Sequence, residues 1–383
     1  MARSYDTIVV GLGGMGSAAA YHLSSRGQRV LGLERFQLGH DRGSSHGETR
    51  IIRLAYFEGS AYVPIVQRSY RLWQDLCAIS GTALIHRTGS LEMSEAGYDF
   101  VDRSHHSCVD HDLPHEMLNA TEIMERFPAF RVAPKTRAIF QPDGGYLLCE
   151  DAIQVHAKLA MANGATLNTG ETVIAFEQTA NGGIEVRTDR ARYTAGQLVL
   201  TAGPWMSQLL PQLQTLLATF VQTIAWFAPQ SPELFTPAAF PVFLHFSDEG
   251  EFYGMPMHSA RGVKVGGPHF GREPIDPDQA GRIPSARQIE VLQSFTARHL
   301  PQAAGVALHP TGCIYTKTPD EHFIIDRLPG APQVLVVSPC SGHGYKFTPA
   351  IGEMIAELVV DGHTRQKIDQ FSLARFGSTI SAN

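Results

Sequence analysis

Even the stretch Leu209 to Phe227, long and largely apolar, is interrupted by Pro211, Gln212, Gln214 and Gln222, so no segment qualifies as a membrane span. A basic start followed by an apolar run is missing too, and we expect a soluble cytoplasmic protein. Cysteine is scarce. Cys77, Cys108, Cys149, Cys313 and Cys340 are scattered, odd in number and without CxxC spacing, which speaks against a disulfide frame or a zinc site. Nor is there an excess of positive charge: 31 Lys and Arg stand against 37 Asp and Glu, a net charge of -6, so neither nucleic acid nor an anionic membrane is expected as partner. A small-molecule partner is favoured by elimination. His105, His106, His111 and His115, with Cys108, Asp110 and Asp112, match no standard zinc or EF-hand spacing and read as a polar helix face followed by a loop; no metal is expected.

What is present begins with Gly11-Leu12-Gly13-Gly14-Met15-Gly16, set between a strand-like Thr7 to Val10 and an Ala-rich helix opening at Ser17. Gly11 allows the tight turn, Gly13 lets the backbone approach a pyrophosphate, and Gly16 lets helix and strand pack closely. The phosphates then meet the positive end of the helix. A second strand, Val30 to Leu33, ends in Glu34, 18 residues beyond Gly16 and near the position that accepts hydrogen bonds from an adenosine ribose. Strand, turn, helix, strand and acid together imply an adenine dinucleotide. Which dinucleotide is open at this point.

A chain of 383 residues exceeds one ordinary core, so two intimately packed domains are expected. After Glu34 a polar, glycine-rich loop from Asp41 to Arg53 is placed either to wrap over a cofactor or to lie as a charged surface loop. An amphipathic helix spans Tyr62 to Ile79 with Pro64 in its first turn, and Cys77 reads as core. Strands at Leu84-Ile85 and Gly89 to Met93 open an excursion into the second domain. Leu147 to Asn163 reads as a helix, Thr172 to Phe176 and Ile184 to Arg187 as a hairpin, and Gln197 to Trp205 as a buried strand ending in a glycine turn. Punctuated strands from Phe220 to Thr318 are the second visit to the other domain. At the end, strands Phe323 to Asp326 and Val334 to Val337 precede a loop, Pro339 to Lys346, that feeds a helix capped by Thr348 with Pro349 at its first position.

At this point the chain resembles the monomeric sarcosine oxidase and N-methyltryptophan oxidase family of flavoproteins. The likeness runs along essentially the whole length. It is carried by Gly11 to Gly16, by Ser44-Ser45-His46-Gly47-Glu48-Thr49-Arg50-Ile51-Ile52-Arg53, by Cys313-Ile314-Tyr315-Thr316 with Pro319 to Asp326, and by Ser341-Gly342-His343-Gly344-Tyr345-Lys346. The resemblance implies an α/β fold: a Rossmann-like FAD-binding domain (1–82, 146–217 and 319–383) with a second, mixed-sheet α+β substrate domain (83–145 and 218–318). It implies FAD attached through a thioether from Cys313, a residue that by itself would read as a buried structural thiol. The cofactor-binding set is then Gly11, Gly13, Gly16, Glu34, Arg42, Ser45, Thr49, Val173, Gly203, Cys313, Gly342, Gly344 and Lys346.

The implied activity is oxidation of an N-methyl amino acid, sarcosine first, to an imine that water hydrolyses, with O2 reduced to hydrogen peroxide. N-methyltryptophan and pipecolate are alternative substrates. Lys264 matches the oxygen-activating lysine, Arg53 and Lys346 the pair that clamps the substrate carboxylate, Arg50 and His46 the cations near the ring and the thiol, and Tyr253 and Tyr315 the cavity wall. One departure concerns the family's active-site histidine, which lies four residues beyond the lysine; here that place holds Pro268, and His269 follows. The resemblance also implies a monomer. A flavoprotein that only passes electrons within a complex, and an NAD-dependent dehydrogenase, are the rival classes; the second leaves Cys313 and the Ser341 to Lys346 loop unexplained.

Overall fold

The computed structural model describes residues 3–267, 274–279 and 283–379. Its first eight-stranded sheet grows from the glycine motif outward: Arg3–Val10 lies between Val30–Glu34 and Arg192–Leu200, all parallel, with Thr166–Thr169 beyond Val30–Glu34. Ala331–Ser338 pairs in parallel with the end of Arg192–Leu200. The expected hairpin, Val173–Gln178 with Ile184–Thr188, and the strand Ile324–Leu328 complete the sheet in antiparallel fashion. Such a parallel centre is buried on both faces, which accounts for runs such as Val30 to Glu34 in which every residue is buried.

Three helices cover one face, Gly14–Ser25, Cys149–Ala162 and Thr348–Val360. The first and last touch backbone to backbone, since a Cβ on Gly352 would come within 2.7 Å of the Ala18 Cβ. The amphipathic helix Val63–Ser80 adds Trp73 to the same core, beside Val9, Leu23, Ile351 and Met354.

The second eight-stranded sheet runs from Ala307–Lys317 through Ala218–Phe227, Val263–Gly266, Gly250–Met255, Val242–Ser247, Ser90–Ser94 and Arg137–Gln141 to Glu116–Asn119. It is antiparallel except where Val242–Ser247 meets Ser90–Ser94. One face packs a phenylalanine-rich core (Phe130, Phe227, Phe240, Phe243, Phe252, Phe295) against the helix Ala286–His299. The other face turns toward the first sheet and carries Lys264, Tyr253 and Tyr315. A small third sheet, Thr49–Ile52, Gly145–Leu148 and Ile85–Arg87, joins the two halves, so the division of the chain near residues 82–85 and 145 runs through a hydrogen-bonded sheet.

Two local readings are corrected. Residues 147–148 are not helical: Gly145–Leu148 is a fully buried strand, and the helix begins at Cys149. A short apolar run of this kind suits either state, and pairing with Thr49–Ile52 decides it. Thr348 does not cap its helix. It is the first helical residue, and its Oγ1 donates to the Tyr345 carbonyl at 2.6 Å, while a 3-10 turn, Tyr345–Phe347, leads in. Among the described residues no group of side chains is arranged to hold a metal ion, and no helix is long and apolar enough to cross a membrane.

Candidate active site and dinucleotide cavity

A cavity of about 410 Å³ opens at the carboxyl end of the parallel strands, where a doubly wound sheet places its ligand. Gly11, Gly13, Glu34, Ser45, Arg50, Val173, Gly203, Tyr315, Gly342 and Gly344 of the expected set lie on its wall. Gly11 has φ +86°, and a Cβ there would meet the Thr201 carbonyl oxygen at 2.6 Å. Gly16 sits behind the wall, where a Cβ would lie 1.7 Å from the Gly11 carbonyl oxygen; this is the close helix packing expected of it. A Cβ on Gly13 would touch only Ser45 Oγ, at 3.7 Å, so the backbone borders open space there.

These features fit a dinucleotide. The helix Gly14–Ser25 has no acidic residue in its first turn and no cap from Gly13; the neutral Ser45 hydroxyl accepts from the Gly14 amide at 3.3 Å, so the positive end carries no anion of the protein's own. Glu34, buried on the wall, accepts from the Leu12 amide at 2.8 Å and the Phe36 amide at 2.9 Å, with His40 Nε2 at 3.4 Å. Burial opposes its charge, yet His40 and the two amides hold its carboxyl below the usual carboxylate range. It is therefore a fixed anionic acceptor on the cavity wall, a chemistry that suits a hydroxyl-bearing ligand.

At the far end of the cavity Arg50 joins three elements. Its Nη2 donates to Cys313 Sγ at 3.0 Å and to the Ser44 carbonyl at 2.8 Å, and its Nη1 donates to the Thr49 carbonyl at 3.0 Å. Lys264 Nζ donates to that same Thr49 carbonyl at 2.8 Å and to the Gly47 carbonyl at 2.7 Å. The lysine is 1% exposed. Burial, with the Arg50 cation second, pushes it down to about 7. Two cations thus converge beside the Cys313 sulfur. Tyr315 and Tyr253 stand next to them with hydroxyls 3.4 Å apart, both phenols raised by burial.

Arg53 and Lys346 form a second cationic pair, standing at 4.5 and 5.3 Å from the centre of the same Tyr56 ring. Arg53 is held bidentately by Glu58, Nη2 to the two carboxylate oxygens at 2.6 and 2.7 Å, and its Nη1 donates to the Ala55 carbonyl at 2.5 Å. Lys346 Nζ donates only to a neutral group, the His343 carbonyl, at 2.7 Å, and burial followed by the Arg53 charge pushes it down to about 7. Burial likewise brings His343 down to about 4, and its Nδ1 lies 2.6 Å from the Tyr56 hydroxyl. These atoms lie away from the wall of the large cavity.

Other expected residues stand elsewhere. Arg42 is exposed, 3.7 Å from Asp41, and off the wall. The Thr49 hydroxyl donates to Met255 Sδ at 2.9 Å; only its carbonyl reaches the cation cluster. His46 is buried beside the cavity without lining it. Pro268 and His269 lie outside the described residues. Reading the sequence had not singled out His40, Trp205 and Tyr345 on the wall, Glu150, whose carboxylate accepts from the Gly47 and Glu48 amides, or Glu58 and Glu92 beside Arg53. For Glu58 the signal available was a charged residue five positions beyond Arg53 in a buried aromatic segment.

The chain is similar over nearly its whole length to named amino acid oxidases. Monomeric sarcosine oxidase of Streptomyces avermitilis is 38% identical, over 99% of this chain and 99% of its own length. N-methyl-L-tryptophan oxidase of Yersinia pestis is 38% identical over 97% of this chain and 99% of its own. NikD in its open form, described as an unusual amino acid oxidase essential for nikkomycin biosynthesis, superposes with a TM-score of 0.86 at 28% identity, covering 97% of each chain. The sequence model of the FAD dependent oxidoreductases matches residues 6–358, and the chain belongs to that family.

Proposed function

We propose that this protein oxidises N-methyl, secondary amino acids of the sarcosine type, with O2 as electron acceptor and hydrogen peroxide as product. Bound FAD would supply the capacity to accept a hydride equivalent from the carbon next to the amine. The chain's own residues do the rest. Arg53 and Lys346 would take the substrate carboxylate between them, which orients the amine and its α-carbon. That requires Arg53 to loosen its hold on Glu58.

The observation that carries the reading is the shared Thr49 carbonyl, which fixes Arg50 and Lys264 next to Cys313. Cations preset beside a centre where negative charge develops lower barriers without reorganising at the moment of reaction. Arg50 also donates to the Cys313 sulfur at 3.0 Å, which places its cation at the atom that would form a thioether to the cofactor. Lys264 would stabilise reduced oxygen. Its ammonium also has an outlet: near neutrality it gives up or regains a proton without leaving its two carbonyl partners.

A peroxide assay on the purified yellow protein tests this, with sarcosine, N-methyltryptophan, pipecolate, proline and the matching primary amino acids. Peroxide with a secondary amine and little with its primary counterpart is the expected result. No peroxide from any of them, in protein still carrying flavin, would overturn the oxidase reading.

A further inference from the structure

Glu92 is a carboxylate with no exposure at all, on the strand Ser90–Ser94. Its neighbours Leu91 and Met93 point into the phenylalanine core, which sends Glu92 to the opposite face. There it meets two elements. The Ser104 hydroxyl, on the helix Phe100–Asp110, donates to Oε2 at 2.6 Å. Among the described residues Oε1 finds no hydrogen-bond donor, and it stands 3.8 Å from Arg53 Nη1. The flanking strands bring only Leu244 and Ile139 to its register, so they contribute no charge. The charged and titratable groups around it are Arg53, Glu58, Lys346, Tyr56 and Cys108.

Two carboxylates therefore share one guanidinium, and among the described residues Lys346 is the one other cation of the cluster. A substrate carboxylate entering between Arg53 and Lys346 adds a third negative charge to a cluster whose positive charge is Arg53 and, when it is protonated, Lys346, in a buried site. Excess charge of one sign is expensive there. Resting on the carboxylate clamp set out under Proposed function, we propose that Glu92 is a positioning residue that takes up a proton from solvent when a carboxylate binds to Arg53 and Lys346, so that binding is coupled to pH. One anion and one proton enter together, Glu92 passes from carboxylate to neutral acid, and the cluster keeps its net charge.

Glu92 rather than Glu58 is the group that yields. Glu58 accepts two charge-assisted bonds from Arg53, which outweigh its burial and hold it below the usual carboxylate range. Glu92 has one bond from a neutral hydroxyl and no bond from Arg53. Burial raises it to about 7, only partly countered by Arg53 and Ser104. Once neutral, its carboxyl no longer competes with the substrate for the guanidinium.

The probe is methoxyacetate, in which an ether oxygen replaces the amine of sarcosine, so that the ligand brings no titrating nitrogen. Titration calorimetry of the holoenzyme in two buffers of different ionisation enthalpy counts the protons bound with it. Near pH 7.5 the wild type should take up about half a proton more than Glu92→Gln, and its affinity should fall more steeply as pH rises above neutral, by up to ~10-fold per unit. An equal proton count and an equal slope in Glu92→Gln would overturn the proposal. Ser104→Ala gives a second reading, because it removes the bond that favours the ionised form; the midpoint of the pH dependence should move up, and an unmoved midpoint contradicts the assignment. Failure of the wild type to bind methoxyacetate at any pH would instead overturn the clamp, and the coupling with it.

Discussion

Lys264 and Cys313 are single residues whose surroundings make separable predictions. Lys264 touches two backbone carbonyls and no carboxylate, so its replacement removes a cation without leaving an unpaired anion behind. In Lys264→Met, stopped-flow kinetics should show reoxidation by oxygen slowed on the order of 10²-fold, with reduction by substrate much less affected. Equal losses in both half-reactions would contradict a role with oxygen. For Cys313 the readout is chemical. Acid precipitation of Cys313→Ala should leave the yellow colour in the supernatant, whereas the wild type should keep it in the pellet. Colour retained in the variant's pellet would point to attachment elsewhere.

Among the elements, the glycine turn separates folding from cofactor binding. In Gly16→Ala the new methyl would lie 1.7 Å from a backbone oxygen, which only movement of the helix can relieve. Its unfolding midpoint should drop, by about 1–3 kcal/mol in stability, with or without cofactor. Gly13→Ala meets nothing closer than 3.7 Å in the protein, and its methyl projects into the cavity instead. It should leave the apoprotein's midpoint unchanged and reduce the flavin retained on purification. Equal midpoints for the two apoproteins would show that Gly16 is not packed as described. The same contrast explains what could be read in advance. Strands, the glycine turn and Glu34 were legible because short apolar runs bounded by turn residues, and a glycine's positive φ, are written locally. Gly145–Leu148 was not, since its strand state comes from pairing with Thr49–Ile52 about a hundred residues earlier. Glu92 was passed over because a charged residue on an alternating strand reads as a solvent face, whereas here that face is closed by the helix Phe100–Asp110. Arg53 and Lys346 could be named through the family likeness, but their meeting with Glu92 brings together three segments far apart in the chain, Arg53 with Glu58, Glu92, and Lys346.

Across the whole molecule, the buried cations impose a pH dependence that runs against the usual alkaline loss of stability. Lys346 stands at about 7 in the fold and at 10.5 as a free side chain. Between these values the unfolded chain holds a proton that the folded one has given up, so the stability of the fold rises with pH across that window. Below about 7 both states carry the charge, and the cost of burying it is present in full. On the acid side the buried histidines act in the same sense over a lower window, because His343 at about 4 and His156 at about 3 must gain protons on unfolding below 6.5. Stability tied to them is present above 6.5 and is lost as the pH falls toward 4. Urea unfolding of the holoenzyme at pH 7, 8 and 9 isolates the lysine. Lys346→Met has no proton to lose, so its stability should rise less steeply than that of the wild type, by up to ~1.4 kcal/mol per pH unit. Its advantage over the wild type should be widest at pH 7 and should close toward pH 9. Parallel lines would mean that Lys346 keeps its charge in the fold, with the Glu58 and Glu92 carboxylates offsetting the cost of its burial.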